Sequence, residues 1–248
     1  MSQPDEGALD FFRAMHEQFS QVLTAQRGND TMLSALLTLL FTSYEGSVEL
    51  QSEGLPEPDC TKGCATCCSI RVVATAPEVF LVARYLQATE VQLRDRGLDI
   101  RQRLADADEM TRNCSEEERV ALRQRCPYIH KGACVIYPVR PLACRSHISY
   151  SQKACVDAAA GRVDEVPFSD VHMSVRSLVQ NAMQSALRSS NFPWATYELN
   201  HALSIALAHE DAEGAWLASE DVLAAAQVAD VSSENMAVTY DRILSHSE

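Results

Sequence analysis

Four thiols packed into nine residues, Cys60-Thr-Lys-Gly-Cys64-Ala-Thr-Cys67-Cys68, constrain this chain more than any other stretch. The residues between them, including Lys62 and Gly63, follow no apolar period, so these cysteines do not read as core hydrophobes. Thiolates at x3 and x2 spacing can all point inward from one tight loop, and Gly63 supplies the backbone freedom for the turn. A second group lies downstream at Cys126, Cys134, Cys144 and Cys155. The two groups take eight of the nine cysteines and are expected to hold metal. Cys114 belongs to neither and reads as a structural or incidental thiol.

At 248 residues the chain can bury a core without covalent staples. Met1 to Gly7 is polar and acidic and lacks the charged start and apolar core of a signal peptide. The longest apolar run, Met32 to Phe41, falls far short of the roughly 20 residues that cross a bilayer. A cytoplasmic protein with no membrane contact is therefore expected. In that reducing compartment dense thiols hold metal or do redox chemistry more readily than they cross-link a fold.

Charge supports the same region. The net charge is −13, yet residues 60 to 155 hold 15 Lys+Arg against 10 Asp+Glu, a balance of +5 that leaves −18 on the flanks. Eight ligand thiolates would bring the middle to −3, and nearby cations help deprotonate thiols. Part of the basic excess is a solvated face around Arg94 to Arg103. An acidic whole gives no support to nucleic-acid binding.

Leu9, Phe12, His16, Phe19 and Leu23 form one apolar stripe, predicting a helix opened by Pro4 and Asp5 and ended by Gly28-Asn29. A second helix, capped by Asp30 or Thr31 and running to about Ser52, buries Leu33, Leu36, Leu37 and Leu40 and pairs antiparallel with the first. Pro56 and Pro58 make 54–59 an extended linker. A short strand is expected over 69–74. Thr75-Ala-Pro-Glu78 is a capping box for a helix to about Ala88 that buries Val79, Val82, Ala83 and Leu86.

The charged stretch 90–113 carries sparse apolar marks at Leu93, Ile100 and Leu104 and is broken by Gly97. Ser115-Glu-Glu-Glu118 caps a helix to Arg125, which delivers Cys126 at its end. A turn at Lys131-Gly132 predicts a hairpin bringing Cys126 and Cys134 together. Pro138 and Pro141 stiffen the segment carrying Arg140, Cys144 and Arg145. Beyond Cys155, helices are expected over 171–189, 194–209 and 215–227. His16, His172, His201 and His209 read as structural histidines.

Cys60-x3-Cys64-x2-Cys67 is also the cluster spacing of radical S-adenosylmethionine enzymes. A proline-bearing linker in place of a barrel strand, and Thr66 where that family has an aromatic residue, argue against membership. The whole pattern instead resembles the YkgJ family of cysteine-cluster proteins: Cys60-x3-Cys64-x2-Cys67-Cys68, Cys126-Pro127-Tyr128, Gly132-x-Cys134-x-Ile136-Tyr137-x-x-Arg140-Pro141-x-x-Cys144-Arg145 and a late Cys155. That resemblance covers 60–155 and implies a zinc- or iron-chelating domain. It also allows an enzyme, because flagellin lysine N-methylases carry such a cluster.

Zinc and iron–sulfur clusters each take four ligands, so eight thiols suit two closed sites or one site with spare thiols. Adjacent Cys67 and Cys68 point different ways if extended, and so serve different centres or leave one outside the ligand set. Cys126-Pro127 favours iron–sulfur, a [4Fe–4S] cluster, over zinc. Arg140 and Arg145 are expected beside the thiolates, offsetting charge and donating hydrogen bonds. With no Gly-rich phosphate loop, Gly-x-Ser-x-Gly or His-Glu-x-x-His, phosphoryl transfer, serine-hydrolase and zincin chemistries lack support. The expected fold is mainly α, with a central cysteine-rich metal core of short hairpin and loop elements over 54–160. A helical hairpin (1–53) precedes the core and packing helices (161–248) follow it. An enzyme, a metal carrier and a closed structural site remain open, as does a protein substrate or partner.

Overall fold

The first apolar stripe folds as α1 (Glu6–Ala25), which buries Phe12, Met15, Phe19 and Leu23. A computed structural model of the chain describes residues 6–61, 63–230 and 232–245, so Pro4 and Asp5, expected to open this helix, lie outside the described residues. His16 stands half-buried beside the stripe and meets Ser20 Oγ at 3.5 Å. Next, α2 (Met32–Gln51) buries Leu33, Leu36, Leu37 and Leu40 as its spacing predicts, together with Tyr44. Both helices pack along α8 (Asp170–Ser189), which joins the two ends of the sequence in one core.

Between them the chain builds the elements that carry the cysteines. β1 (Val73–Thr75) leads into α3 (Ala76–Asp95) through the expected capping box of Thr75 and Glu78. The helix runs a full two turns beyond the expected stop at Ala88, because Leu93 continues the buried face. Gly97, at φ +81°, then turns the chain into α4 (Ile100–Thr111). The charged stretch is thus helical: its sparse apolar marks, Ile100 and Leu104, all face inward. The Ser115 box opens α5 (Glu116–Leu122), which stops at Arg123 in the left-handed region, short of the expected Arg125.

β2 (Ile129–His130) and β3 (Ala133–Cys134) form the expected hairpin, with Lys131 and Gly132 both at positive φ. Its register pairs Ile129 with Cys134, so Cys126 sits before the ladder. Then come α6 (Leu142–Ser146) and α7 (Gln152–Ala159), the latter carrying Cys155.

The region expected as a helix from Trp194 divides. β4 (Thr196–Glu198) pairs antiparallel with β1, Val73 against Glu198, and only then does α9 (Leu199–Ala208) begin. Glu198 caps it by accepting from His201 N. The expected helix over 215–227 shrinks to α10 (Ala212–Leu217) and a short 3-10 turn, with Ser219 at positive φ between them. Trp216 is fully buried against Phe80 and Phe192, which fixes that end. A helix with no sequence expectation, α11 (Ser233–Ser245), returns to α1: Tyr240 packs on Phe12, and Arg13 Nε donates to Ile243 O at 2.9 Å. Among the described residues no helix is long and apolar enough to cross a membrane.

Glu78 ties the cap of α3 to the cysteine segment. Its carboxyl group is 1 % exposed and accepts from Thr75 N, Thr75 Oγ1 and, at 2.7 Å, the backbone N–H of Leu142 at the start of α6. Replacing Glu78 by Ala strands three donors in a dry site, and each buried unmet donor costs about 1–3 kcal/mol. Glu78→Ala should lower stability by at least about 2 kcal/mol in urea unfolding. An unchanged midpoint would show that water satisfies those donors.

Candidate metal centre

The loop that holds the first four cysteines is a run of tight turns. Cys64 N donates to Thr61 O at 3.0 Å, Cys68 N to Ala65 O at 3.1 Å and Ile70 N to Cys67 O at 3.3 Å. Gly63 takes φ +99°, a conformation that side chains resist, with open space where a Cβ would stand. Lys62 lies outside the described residues. The loop is stitched at both ends. Upstream, Asp59 N donates to Ser149 O at 3.1 Å, and Asp59 Oδ2 accepts from Gln152 N at the start of α7. Downstream, Cys126 N donates to Cys68 O at 2.7 Å, fastening the loop to the segment that leads into the hairpin.

These ties draw three distant segments around one cavity of about 140 Å³. Seven expected ligands line it: Cys60, Cys64, Cys67, Cys68, Cys126, Cys134 and Cys144. The eighth, Cys155, lines an adjoining cavity of about 420 Å³, and Cys67, Ile70 and His147 are common to both. Cys114 lines neither; it stands on a separate cavity of about 340 Å³ beside His201. His201 itself is paired, its Nδ1 lying 3.1 Å from buried Asp108. The acid absent from its own helix comes from α4.

All nine cysteines are free thiols. Burial pushes Cys126 and Cys144 up to about 12, with neighbouring thiols adding to the shift. Cys134 and Cys60 are also raised, chiefly by burial, while Cys67 is held well above the usual range first by its hydrogen bond with the Cys68 thiol. Opposing this, N–H groups aim at sulfur. Ser149 N donates to Cys60 at 3.3 Å and Gln152 Nε2 to Cys64 at 3.8 Å, and the backbones of Tyr128 and Ile136 donate to Cys126 and Cys134. Such donors favour the charged form of a thiol and steady metal-bound sulfur.

As the side chains stand, no three or more His, Cys, Asp or Glu groups among the described residues close on a single ion. The donor chemistry, seven thiols on the wall of one cavity, fits a thiolate-ligated metal. Ligation requires those thiols to lose their protons.

The two arginines separate in role. Arg140 lines the cavity with its guanidinium 3.8 Å from the centroid of the Tyr137 ring, and its buried Nε has no hydrogen-bond partner among the described residues. Arg145 is absent from the lining. It donates to Arg140 O and Pro138 O, pairs with Glu45 at 2.7 Å and stacks over Phe41, so it braces the turn before Cys144 against α2. Of the two arginines expected beside the thiols, Arg140 stands on the cavity wall and Arg145 does not line it. Sequence reasoning passed over His147, which lines both cavities. The spacing Cys144-x2-His147 was the available signal, since two donors three residues apart share a helix face. Burial lowers the His147 pKa, favouring the neutral imidazole that ligates metals.

The raised thiols make a pH prediction for the metal-free protein. Between the ordinary 9.0 and about 12, the folded chain holds protons on Cys126 and Cys144 that the unfolded chain releases. Stability from these groups is intact below 9 and is lost as pH rises through that window. The thermal midpoint should fall over this range, and less steeply in Cys126→Ser and Cys144→Ser. Equal slopes would remove burial of these thiols as the cause.

Comparison of the chain with models of known protein families, with curated proteins and with solved structures gives no match, so the geometry and chemistry of this cysteine-lined cavity carry the functional argument.

Proposed function

We propose that this chain is a metal-binding protein of the YkgJ type, whose clustered thiols ligate iron–sulfur in preference to zinc, within the cytoplasm. One observation carries the reading: seven thiols from three separate segments line one cavity. Thiols placed there for packing alone would not need N–H donors aimed at their sulfurs, whereas metal-bound thiolates do. A ring of sulfur around about 140 Å³ suits a polynuclear group better than one ion. Arg140, with its unmet Nε–H, supports the same reading by offering a positive charge to an anionic cluster.

A zinc reading is favoured by His147, since three thiols and one imidazole make a familiar structural zinc set. The second cavity, sharing Cys67 and His147 with the first, supports a site that a substrate or protein partner reaches, as a modifying enzyme resembling the flagellin lysine N-methylases would need. Metal analysis and an absorption spectrum of anaerobically purified protein separate the readings. The expected result is a brown protein with broad absorbance near roughly 400 nm and matching iron and sulfide. Cys64→Ser and Cys144→Ser should lower metal content, whereas Cys114→Ser should not. Stoichiometric zinc without colour would select the alternative, and a metal-free wild-type protein would overturn both.

A further inference from the structure

The second cavity, of about 420 Å³, falls within the roughly 300–1,000 Å³ typical of small-molecule sites. Apolar side chains make most of its wall: Ile70 from the cysteine loop, Val120 and Ala121 from α5, Ala158 from α7, and Val166 and Phe168 from the segment before α8. That last segment is pinned. Tyr150 N donates to Pro167 O at 2.9 Å, Ser169 N donates to Ile148 O at 2.8 Å, and the ring centroids of Phe168 and His147 lie 4.4 Å apart. The wall is therefore formed before any ligand arrives. Val120 is 51 % exposed, so the cavity opens to solvent on the α5 side.

Its polar groups are few. Thr66 and Ser69 offer hydroxyls, and Arg123 is the one permanently charged side chain on the wall among the described residues. No carboxylate lines the cavity, although the chain carries 34 Asp+Glu against 21 Lys+Arg, so the local field is opposite in sign to that of the whole. The last carbonyls of α7 are taken up by the N–H groups of Ala160, Gly161 and Arg162, which leaves that charge unopposed from α7. Arg123 is exposed, and its guanidinium makes no hydrogen bond or ion pair among the described residues. Its backbone stands at φ +51°, the left-handed conformation that glycine usually takes at a helix end and that side chains resist. No ion pair offsets that strain, whereas a bound anion would.

We propose that this cavity binds an amphipathic carboxylate, a free monocarboxylic acid with an aliphatic body, which enters tail first. The body lies against Ile70, Val166 and Phe168, and the carboxylate meets Arg123 on the solvent side. Because Cys67, Ile70 and His147 belong to both cavities, the tail ends beside the thiols. This names a ligand class for the cavity that the enzyme reading above requires, and it stands on the cavity alone, with or without metal.

Isothermal titration of the full chain with sodium octanoate, with metal content measured on the same sample, tests this. Octanoate should bind at one saturable site, octylammonium and octan-1-ol at least about tenfold more weakly, and acetate not at all. Arg123→Gly should erase the preference for octanoate without lowering the thermal midpoint, because glycine suits that backbone, and Arg123→Lys should keep the preference. Ala158→Phe should fill the cavity and abolish binding of octanoate and octan-1-ol alike. Wild-type protein that binds octanoate no better than octylammonium, a preference that survives Arg123→Gly, or binding that survives Ala158→Phe would overturn the proposal. Absent octanoate binding in a metal-loaded protein would sink the pocket alone, and octanoate binding by a protein purified without metal would sink the metal reading alone.

Discussion

The carboxyl group of Glu78 is the contact on which the cysteine region depends. It closes the cap of α3 and, from the same buried position, holds the first N–H of α6, so one side chain sets the distance between β1 and the helix that carries Cys144. The loop before β1 and the segment before α6 both border the cavity. A short hydrogen bond in a dry site is strong because the alternative is an unmet donor, and that asymmetry makes the spacing rigid. The cavity is thus framed by elements whose own stability comes from the apolar core of α1, α2, α3, α8 and α9.

Much of this frame was legible in the sequence because local chemistry decides it. The boxes Thr75-x-x-Glu78 and Ser115-x-x-Glu118, the left-handed glycines at 97 and 132, and the stripes of α1, α2 and α8 all act within a few residues. What the sequence hid is what depends on a distant partner. Thr196-Tyr-Glu198 is a strand only because Val73–Thr75 lies beside it, and Glu198 then caps the helix that composition suggested would begin earlier. By contrast α11, which packs on Phe12 and Arg13, carries its own stripe of Met236, Tyr240, Ile243 and Leu244 at helical spacing, a local signal that was passed over.

The candidate centre was legible in its residue types and only partly in its geometry. Clustered cysteines marked the thiols that line the cavity, yet the separation of Arg140 from Arg145 follows from Glu45 and Phe41 on α2, a helix remote in sequence. His147 was overlooked because a lone imidazole carries little signal until Cys144 is known to sit on a helix one turn before it. The placement of Cys155 outside the smaller cavity depends on α7, a helix that the polar sequence around it did not announce.

The pairing of β1 with β4 also sets an order of events. The strand that anchors the cysteine loop finds its partner only across half the chain's length, with Leu199 N closing on Val72 O beyond the ladder. Contacts this remote form late, because the intervening segment must be ordered before they are gained. During synthesis Cys60 to Cys68 therefore wait in an unclosed loop, where thiols meet solvent, metal donors and oxidants before the C-terminal half seals them in.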